Sequence, residues 1–253
     1  VTASPAAPDA LAPSREVVVA TQFRGPPNSG NGGYVSGLLA GPIAGAATAV
    51  LRAPVPLETP MRLSLEAGVT RLTGPGGELI GEGRAGDPTE LPEPPAPPSL
   101  ETAREAAARF IGLTRTFHPV CFTCGDKLED GFGCRVFAGQ IEGAAPGCVA
   151  ATWTPHPAFA APDGLTRLEV VWAALDCPGA VAWAVQQGGG GLLGTMTCEV
   201  VRRPAPGEVC IVTAWPIERS GRKMISGTAL FTADGERLAR SRQIWIGRAP
   251  APG

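Results

Sequence analysis

Histidine is nearly missing from this chain. Two occur in 253 residues, His118 and His156, so any chemistry that needs an imidazole base rests on one of those two. Charge of one sign is also lacking. The 21 Lys and Arg against 23 Asp and Glu leave a net charge of −2 with no basic block, and no nucleic acid partner is expected. No unbroken apolar run approaches the roughly 18 residues of a membrane span, so no membrane partner is expected either. Residues 1–14, VTASPAAPDALAPS, have neither the charged start nor the apolar core of a secretory signal. They read as a disordered Ala/Pro lead-in to a cytoplasmic protein. Paired cysteines are absent. The seven are odd in number, Cys121 and Cys124 form one C-x-x-C, and no second pair stands at zinc-finger spacing. His118, Cys121, Cys124 and Cys134 fit one tetrahedral site. The other reading takes the thiols as small apolar residues of a reduced protein.

Glycine (34) and proline (27) are plentiful, and they divide the chain. Residues 86–98, GDPTELPEPPAPP, admit neither helix nor central strand and read as a semi-rigid spacer. A linker helix follows over 99–110, with Thr102 and Glu105 fitting a capping box. A first domain is thus expected over 15–85, a linker over 86–117 and a second domain over 118–250. Each domain reads as a Gly/Pro loop, an apolar helix and a set of strands. Strands are expected near 17–23, 46–53, 59–66, 68–73 and 78–85, and again near 148–154, 194–203, 208–215, 223–232 and 237–247.

The parallel grammar reflects an internal repeat. RAPVPLE at 52–58 matches RRPAPGE at 202–208 at the Arg, both Pro and the Glu. Gly77-Glu78 matches Gly235-Glu236 in a hairpin turn, and GLLAGP at 37–42 lies on AALDCP at 173–178, a proline closing both. The extra length of the second copy is assigned to the loop QQGGGG, 186–191. In this register Asn31 lies on Arg167, Gly33 on Glu169 and Ala40 on Asp176.

The two helices have diverged in a complementary way. NSGNGGY, 28–34, puts glycines at a helix start, where the first N–H groups have no intrahelical partner and the helix dipole adds partial positive charge. Without side chains there, a developing oxyanion can approach the amides of Gly32 and Gly33. The alternative is a turn with Asn31 as N-cap. Asp176 sits in the apolar run VVWAALDCPGAVAW. Burial there raises its pKa, which suits a general base or nucleophile; the alternatives are a cap for a segment after Pro178, or an ion pair.

These residues resemble the hot dog fold acyl-CoA thioesterase superfamily, with two hot dog domains in one chain. CFTCGDKLEDGFGC, 121–134, is similar to the C-F-x-C-G…G-L opening of single-domain members, and APDGLTRLEVVWAALD, 161–176, to their G-x-P-G…H-G-G…D helix. Asp176 takes the place of the acid; Arg167, Leu168 and Glu169 replace His-Gly-Gly. The resemblance implies an α+β fold of two tandem hot dog domains, each an antiparallel sheet wrapped around a central helix, with the sheets pairing as a pseudodimer. It implies one composite site for an acyl-CoA or other acyl thioester, built from the Gly32 and Gly33 amides and Asp176. Asn28 would orient water or carbonyl beside Asn31, and Tyr34, Arg167 and Gln243 would contact substrate. The opposite site, Glu169 with Ala40, would be dead. No metal or cofactor is called for, and a homodimer of double hot dog chains is expected.

Larger double hot dog thioesterases hold water with an Asp, a Ser/Thr and a Gln. Gln243 in SRQIWIG fits the last, whereas the others fall near Met196 and Ile217, with Ser220 close to the second. A hot dog hydratase using His156, or a non-catalytic acyl-CoA binder, are the alternatives.

Overall fold

The computed structural model describes residues 14–114, 118–188 and 190–247. In the first half, β1 (Ser14–Val17) leads through a single 3-10 turn at Thr21–Phe23 to α1 (Gly32–Ala40). Then come β2 (Ala47–Leu51), β3 (Met61–Glu66), β4 (Val69–Thr73) and β5 (Leu79–Ala85). The linker carries α2 (Leu100–Ala108). The second half adds a short β6 (Gly139–Gln140) and then β7 (Val149–Trp153). It continues with α3 (Leu168–Gln187), β8 (Gly191–Val200), β9 (Cys210–Ser220), β10 (Lys223–Thr232) and β11 (Arg237–Gly247).

All eleven strands form one antiparallel sheet in the order β1-β3-β4-β5-β2-β8-β11-β10-β9-β7-β6. With the short edge strand β6 left out, each half, counted from its own first strand, has the order 1-3-4-5-2, and the halves meet back to back where β2 pairs β8, Ala47 opposite Cys198. The strand plan therefore repeats about a pseudo-two-fold through that seam, the tandem hot dog arrangement expected from the repeat. Both hairpins placed at Gly77 and Gly235 form. Each glycine has a positive φ, 83° and 90°, and each hairpin closes with the same bonds, Gly74 N–H to Glu78 C=O and Thr232 N–H to Glu236 C=O.

Helices α1 and α3 share one core with the strands. Leu39, Leu72, Trp172, Leu175 and Leu230 are fully buried in it, each contributing about 2–3 kcal/mol by removal from water. Helix α2 lies elsewhere, with Ala103 and Ala106 packed on Ala150, Ile211, Ala229 and Phe231 of the second half's sheet.

Several expectations are corrected. The segment 17–23 is a strand end followed by a 3-10 turn, because Glu58 draws the Thr21 amide out of the ladder. The cap of α2 is Ser99, whose hydroxyl accepts the Thr102 amide at 3.1 Å, three residues before the Thr102 cap of the expected capping box. Pro178 does not close its helix: α3 runs 20 residues through it. Gln186 and Gln187 belong to that helix, so the extra length of the second copy is helical. By length and composition α3 could cross a membrane; here 67% of its most apolar window is buried inside the protein. Residues 1–13 of the lead-in lie outside the described residues.

Candidate active site

Helix α1 begins where Asn31 breaks away from it. The Asn31 Oδ1 accepts the Tyr34 N–H at 2.9 Å, an N-cap that fixes the first turn. Its Nδ2 donates to Thr123 Oγ1 at 3.1 Å and approaches Cys121 Sγ at 3.8 Å. Thr123 in turn donates to the Ala173 carbonyl of α3 at 2.7 Å. One buried amide thus ties the start of α1, the C-x-x-C loop and the middle of α3 together.

The two central helices run antiparallel in face-to-face contact, and glycine makes the contact so close. A Cβ on Gly33 would stand 2.5 Å from Asp176 Cβ and 2.7 Å from the Trp172 carbonyl; one on Gly37 would stand 2.4 Å from Glu169 Cα. At this crossing the Gly33 N–H donates to Asp176 Oδ2 at 3.0 Å. Gly32, by contrast, faces the side chains of Leu193 and Leu51. The amide and acid that the sequence sets 143 positions apart are therefore directly bonded.

Asp176 is 3% exposed, and its Oδ1 has no hydrogen-bond partner among the described residues. Burial pushes its pKa up to about 7, opposed by the Gly33 amide and assisted by the nearby Cys121. The turn that carries it is unusual. Pro178 removes the N–H that the Ala174 carbonyl would use, and the flanking carbonyls also receive side-chain donors, Ala173 from Thr123 and Leu175 from Gln243.

Gln243 lies wholly buried, its Nε2 donating to the Leu175 carbonyl at 2.6 Å and to Ser241 Oγ at 3.2 Å, its Oε1 accepting from Trp245 Nε1 at 2.8 Å. Gly179 allows this, since a Cβ there would fall 1.9 Å from Gln243 Oε1. Gln243 thus acts on the backbone turn before Asp176. The hydroxyls beside it are Thr228 and Ser241, 2.6 Å apart, whereas Ser220 is at the exposed far end of β9. Met196 is the cross-strand partner of Gln243. The resemblance put the hydroxyl near Ile217 and Ser220 of β9, whereas the sheet sets Thr228 of β10 and Ser241 of β11 beside Gln243.

Tyr34 and Arg167 belong to an aromatic cluster that runs on from the Asn31 cap through Phe122. Tyr34 stacks on Phe23 with ring centroids 4.2 Å apart, Phe122 and Phe159 continue the cluster, and the Arg167 guanidinium lies 5.4 Å over Phe23. Burial first, then Glu169, pushes the Tyr34 hydroxyl to about 12, with Arg167 opposing. Arg167 stands immediately before α3, as Asn31 does before α1, and lies 3.8 Å from Glu169. Ala40, on the other helix, is buried and apolar. At the second pseudo-symmetric position Ala40 stands in place of an acid, and Arg167, over the Phe23 ring, stands where Asn31 does in the first.

Asn28 is exposed on the loop before α1, outside the hydrogen bonds that join Asn31, Gly33 and Asp176. His156 serves its own turn: its Nδ1 accepts the Ala158 N–H at 3.1 Å and its Nε2 lies 4.0 Å from Asp130. Arg202 is paired bidentately with Glu208 at 2.7 and 3.0 Å, and Arg203 with Asp163. Thr123 and Cys177 escaped the sequence reading. The one available signal was their place inside C-F-T-C and next to Asp176.

The fold recurs in solved structures. A conserved hot dog fold protein of unknown function from Alicyclobacillus acidocaldarius is 13% identical, with a TM-score of 0.60 over 97% of this chain and 96% of that one. A tesB protein of Mycobacterium avium subs paratuberculosis is 14% identical, with a TM-score of 0.60 over 93% of each chain. An acyl-CoA thioesterase II of Mycobacterium marinum is 14% identical, with a TM-score of 0.58 over 94% of each. At such identities the likeness is one of fold. No family model and no curated protein matches the sequence.

Proposed function

We propose that this chain is a thioester hydrolase acting on an acyl-CoA or a related acyl thioester, through one composite site between its halves. The observation that carries the reading is the 3.0 Å bond from the Gly33 N–H of α1 to Asp176 Oδ2 of α3. It sets an oxyanion-type donor and a carboxylate with a pKa raised to about 7 within one bond of each other. The printed names of two structural neighbours, a tesB protein and an acyl-CoA thioesterase II, support the substrate class.

Donor and acid are bonded to each other through Oδ2, and Oδ1 is left without a partner among the described residues. Substrate entry exchanges partners: the thioester carbonyl takes the amides of Gly32 and Gly33 at the positive end of α1, and Asp176 is released toward water. As a base, Asp176 takes a proton from water while the oxygen adds to the carbonyl. The C–S bond then breaks, and the thiolate leaves with that proton. As a nucleophile, Asp176 would form the new C–O bond itself, and water would cleave the mixed anhydride. Asn31 and Gln243 act as positioning residues, and Asn28, Tyr34 and Arg167 are assigned to substrate contact. His156 is tied to its own turn, which weighs against hydratase chemistry.

One observation favours a second reading, acyl-thioester binding without turnover: Asp176 is only 3% exposed. Release of CoA from an acyl-CoA panel, followed by chromatography because the seven cysteines would react with thiol dyes, separates the two. Hydrolysis by the wild type and its loss in Asp176→Asn support the first reading. Saturable binding with no CoA release, equal in both proteins, supports the second.

A further inference from the structure

Beside Asp176 lie three thiols for which the hydrolytic reading has no use. Cys121 and Cys124 come from the loop ahead of β6, and Cys177 follows Asp176 in α3. Their Sγ atoms all lie within 4.8 Å of one another, and Cys121 and Cys177 approach to 3.5 Å. No other His, Cys, Asp or Glu among the described residues joins this group. Cys121 is 1% exposed, and Cys124 and Cys177 are partly exposed.

We propose that Cys121, Cys124 and Cys177 bind one Zn2+ ion. A tetrahedral zinc with Zn–S bonds of about 2.3 Å needs sulfurs about 3.8 Å apart. The three thiols reach that spacing by moving less than about 1 Å. A disulfide would use two of the three and leave the convergence of the third without a role. Thiolate ligands select Zn2+ over Mg2+ or Ca2+, which prefer oxygen. Binding replaces three S–H protons with three Zn–S bonds, releases the protons to solvent, and leaves the fourth position to water or an exogenous ligand. The Asn31 Nδ2, 3.8 Å from Cys121 Sγ, is placed to donate to that thiolate.

The ligand set differs from the quartet suggested by spacing. Cys134 donates its backbone N–H to Phe122 and is buried away from the group, and His118 contributes only its carbonyl to the Cys121 turn. The ion ties the C-x-x-C loop to the helical turn that carries Asp176, so it would steady that turn whether or not the protein turns over thioesters.

The test uses the full chain, reduced and stripped of metal with a chelator. Titration with Co2+ is expected to give thiolate-to-cobalt charge-transfer absorption and visible ligand-field bands that saturate at one equivalent, and Zn2+ is expected to abolish them. X-ray absorption of the zinc form is expected to show three sulfur neighbours at about 2.3 Å. Cys177→Ser and, separately, Cys124→Ser are expected to weaken binding at least tenfold, while Cys148→Ser leaves it unchanged. The proposal fails if the wild type gives no charge-transfer band. It also fails if zinc shows only nitrogen and oxygen neighbours, or if both serine variants bind as the wild type does. Because Cys124 stands in a partly exposed loop, its variant keeps the test decisive should Cys177→Ser not fold.

Discussion

The two halves share a strand order and differ in their helices. Helix α1 has nine residues, opens on glycine and buries no carboxylate; α3 has 20, opens on Arg167 and buries Asp176 in its middle. Even the matched loops have parted. Arg202 closes its loop by pairing with Glu208, whereas in the first half Arg52 pairs with Glu82 and Glu58 accepts the Thr21 amide. The sheet holds the repeat because every strand's hydrogen bonds depend on its neighbour's register. The helices were freer to diverge because no backbone ladder fixes their register against the sheet among the described residues. Of two equivalent helix positions, one carries the buried Asp176 and the other the apolar Ala40.

Predictions follow from that asymmetry. The largest effect is expected on turnover: Asp176→Asn should lower acyl-CoA kcat/KM by about 100-fold or more, while Glu169→Gln at the opposite position should stay within about twofold. Equal losses in both would restore the symmetry.

The next effect is on stability against pH. The native state keeps the Asp176 proton in a range where the unfolded chain has lost it, because the folded pKa is raised to about 7. The native state therefore binds more protons than the unfolded one. Its stability should fall as pH rises from about 4 to 7 and level off above, by up to about 4 kcal/mol. Urea titrations across pH should show this fall in the wild type and its loss in Asp176→Asn. A pH-independent difference between the two would contradict the raised pKa.

Gly33→Ala drives a methyl into Asp176 and the Trp172 carbonyl and should destabilise by about 3 kcal/mol. Gly32→Ala meets only the side chains of Leu193 and Leu51 and should stay near 1 kcal/mol or below. Similar melting temperatures for both would mean the helices are not in contact at Gly33. Gln243→Leu leaves the Trp245 N–H and the Leu175 carbonyl without their partner and should weaken the fold by about 2 kcal/mol. It should also lower kcat more than it changes KM. Smallest is the effect of the loop pairs: Arg202→Ala and Arg52→Ala should each remain below about 1 kcal/mol by urea denaturation.

Much of the fold was legible. Turn residues at Gly77 and Gly235 and runs of β-branched residues located the strands that follow each helix, because turns and alternation are local properties. The course of α3 was not. A proline inside a helix reads as a stop, yet the helix continues through it, its neighbouring carbonyls also bonded by Gln243 and Thr123, 68 and 50 residues away. The pairing of Gly33 with Asp176 was legible through the repeat. The burial of Asp176 was legible too, in the apolar run around it; what covers it was not, since the cover comes from α1 and the C-x-x-C loop.

By itself the sequence determined the duplicated strand plan, the glycines at one helix start and the lone acid in the other, since each follows from residue type and spacing along the chain. Only the tertiary structure decided that the glycine amide and the acid are bonded to each other, that Gln243 serves the backbone of α3, and that Cys177 joins Cys121 and Cys124. Those contacts depend on how closely two helices cross over a shared sheet, and that closeness is set by side chains missing at Gly33, Gly37 and Gly179, positions whose partners lie more than a hundred residues away for the first two and more than forty for the third.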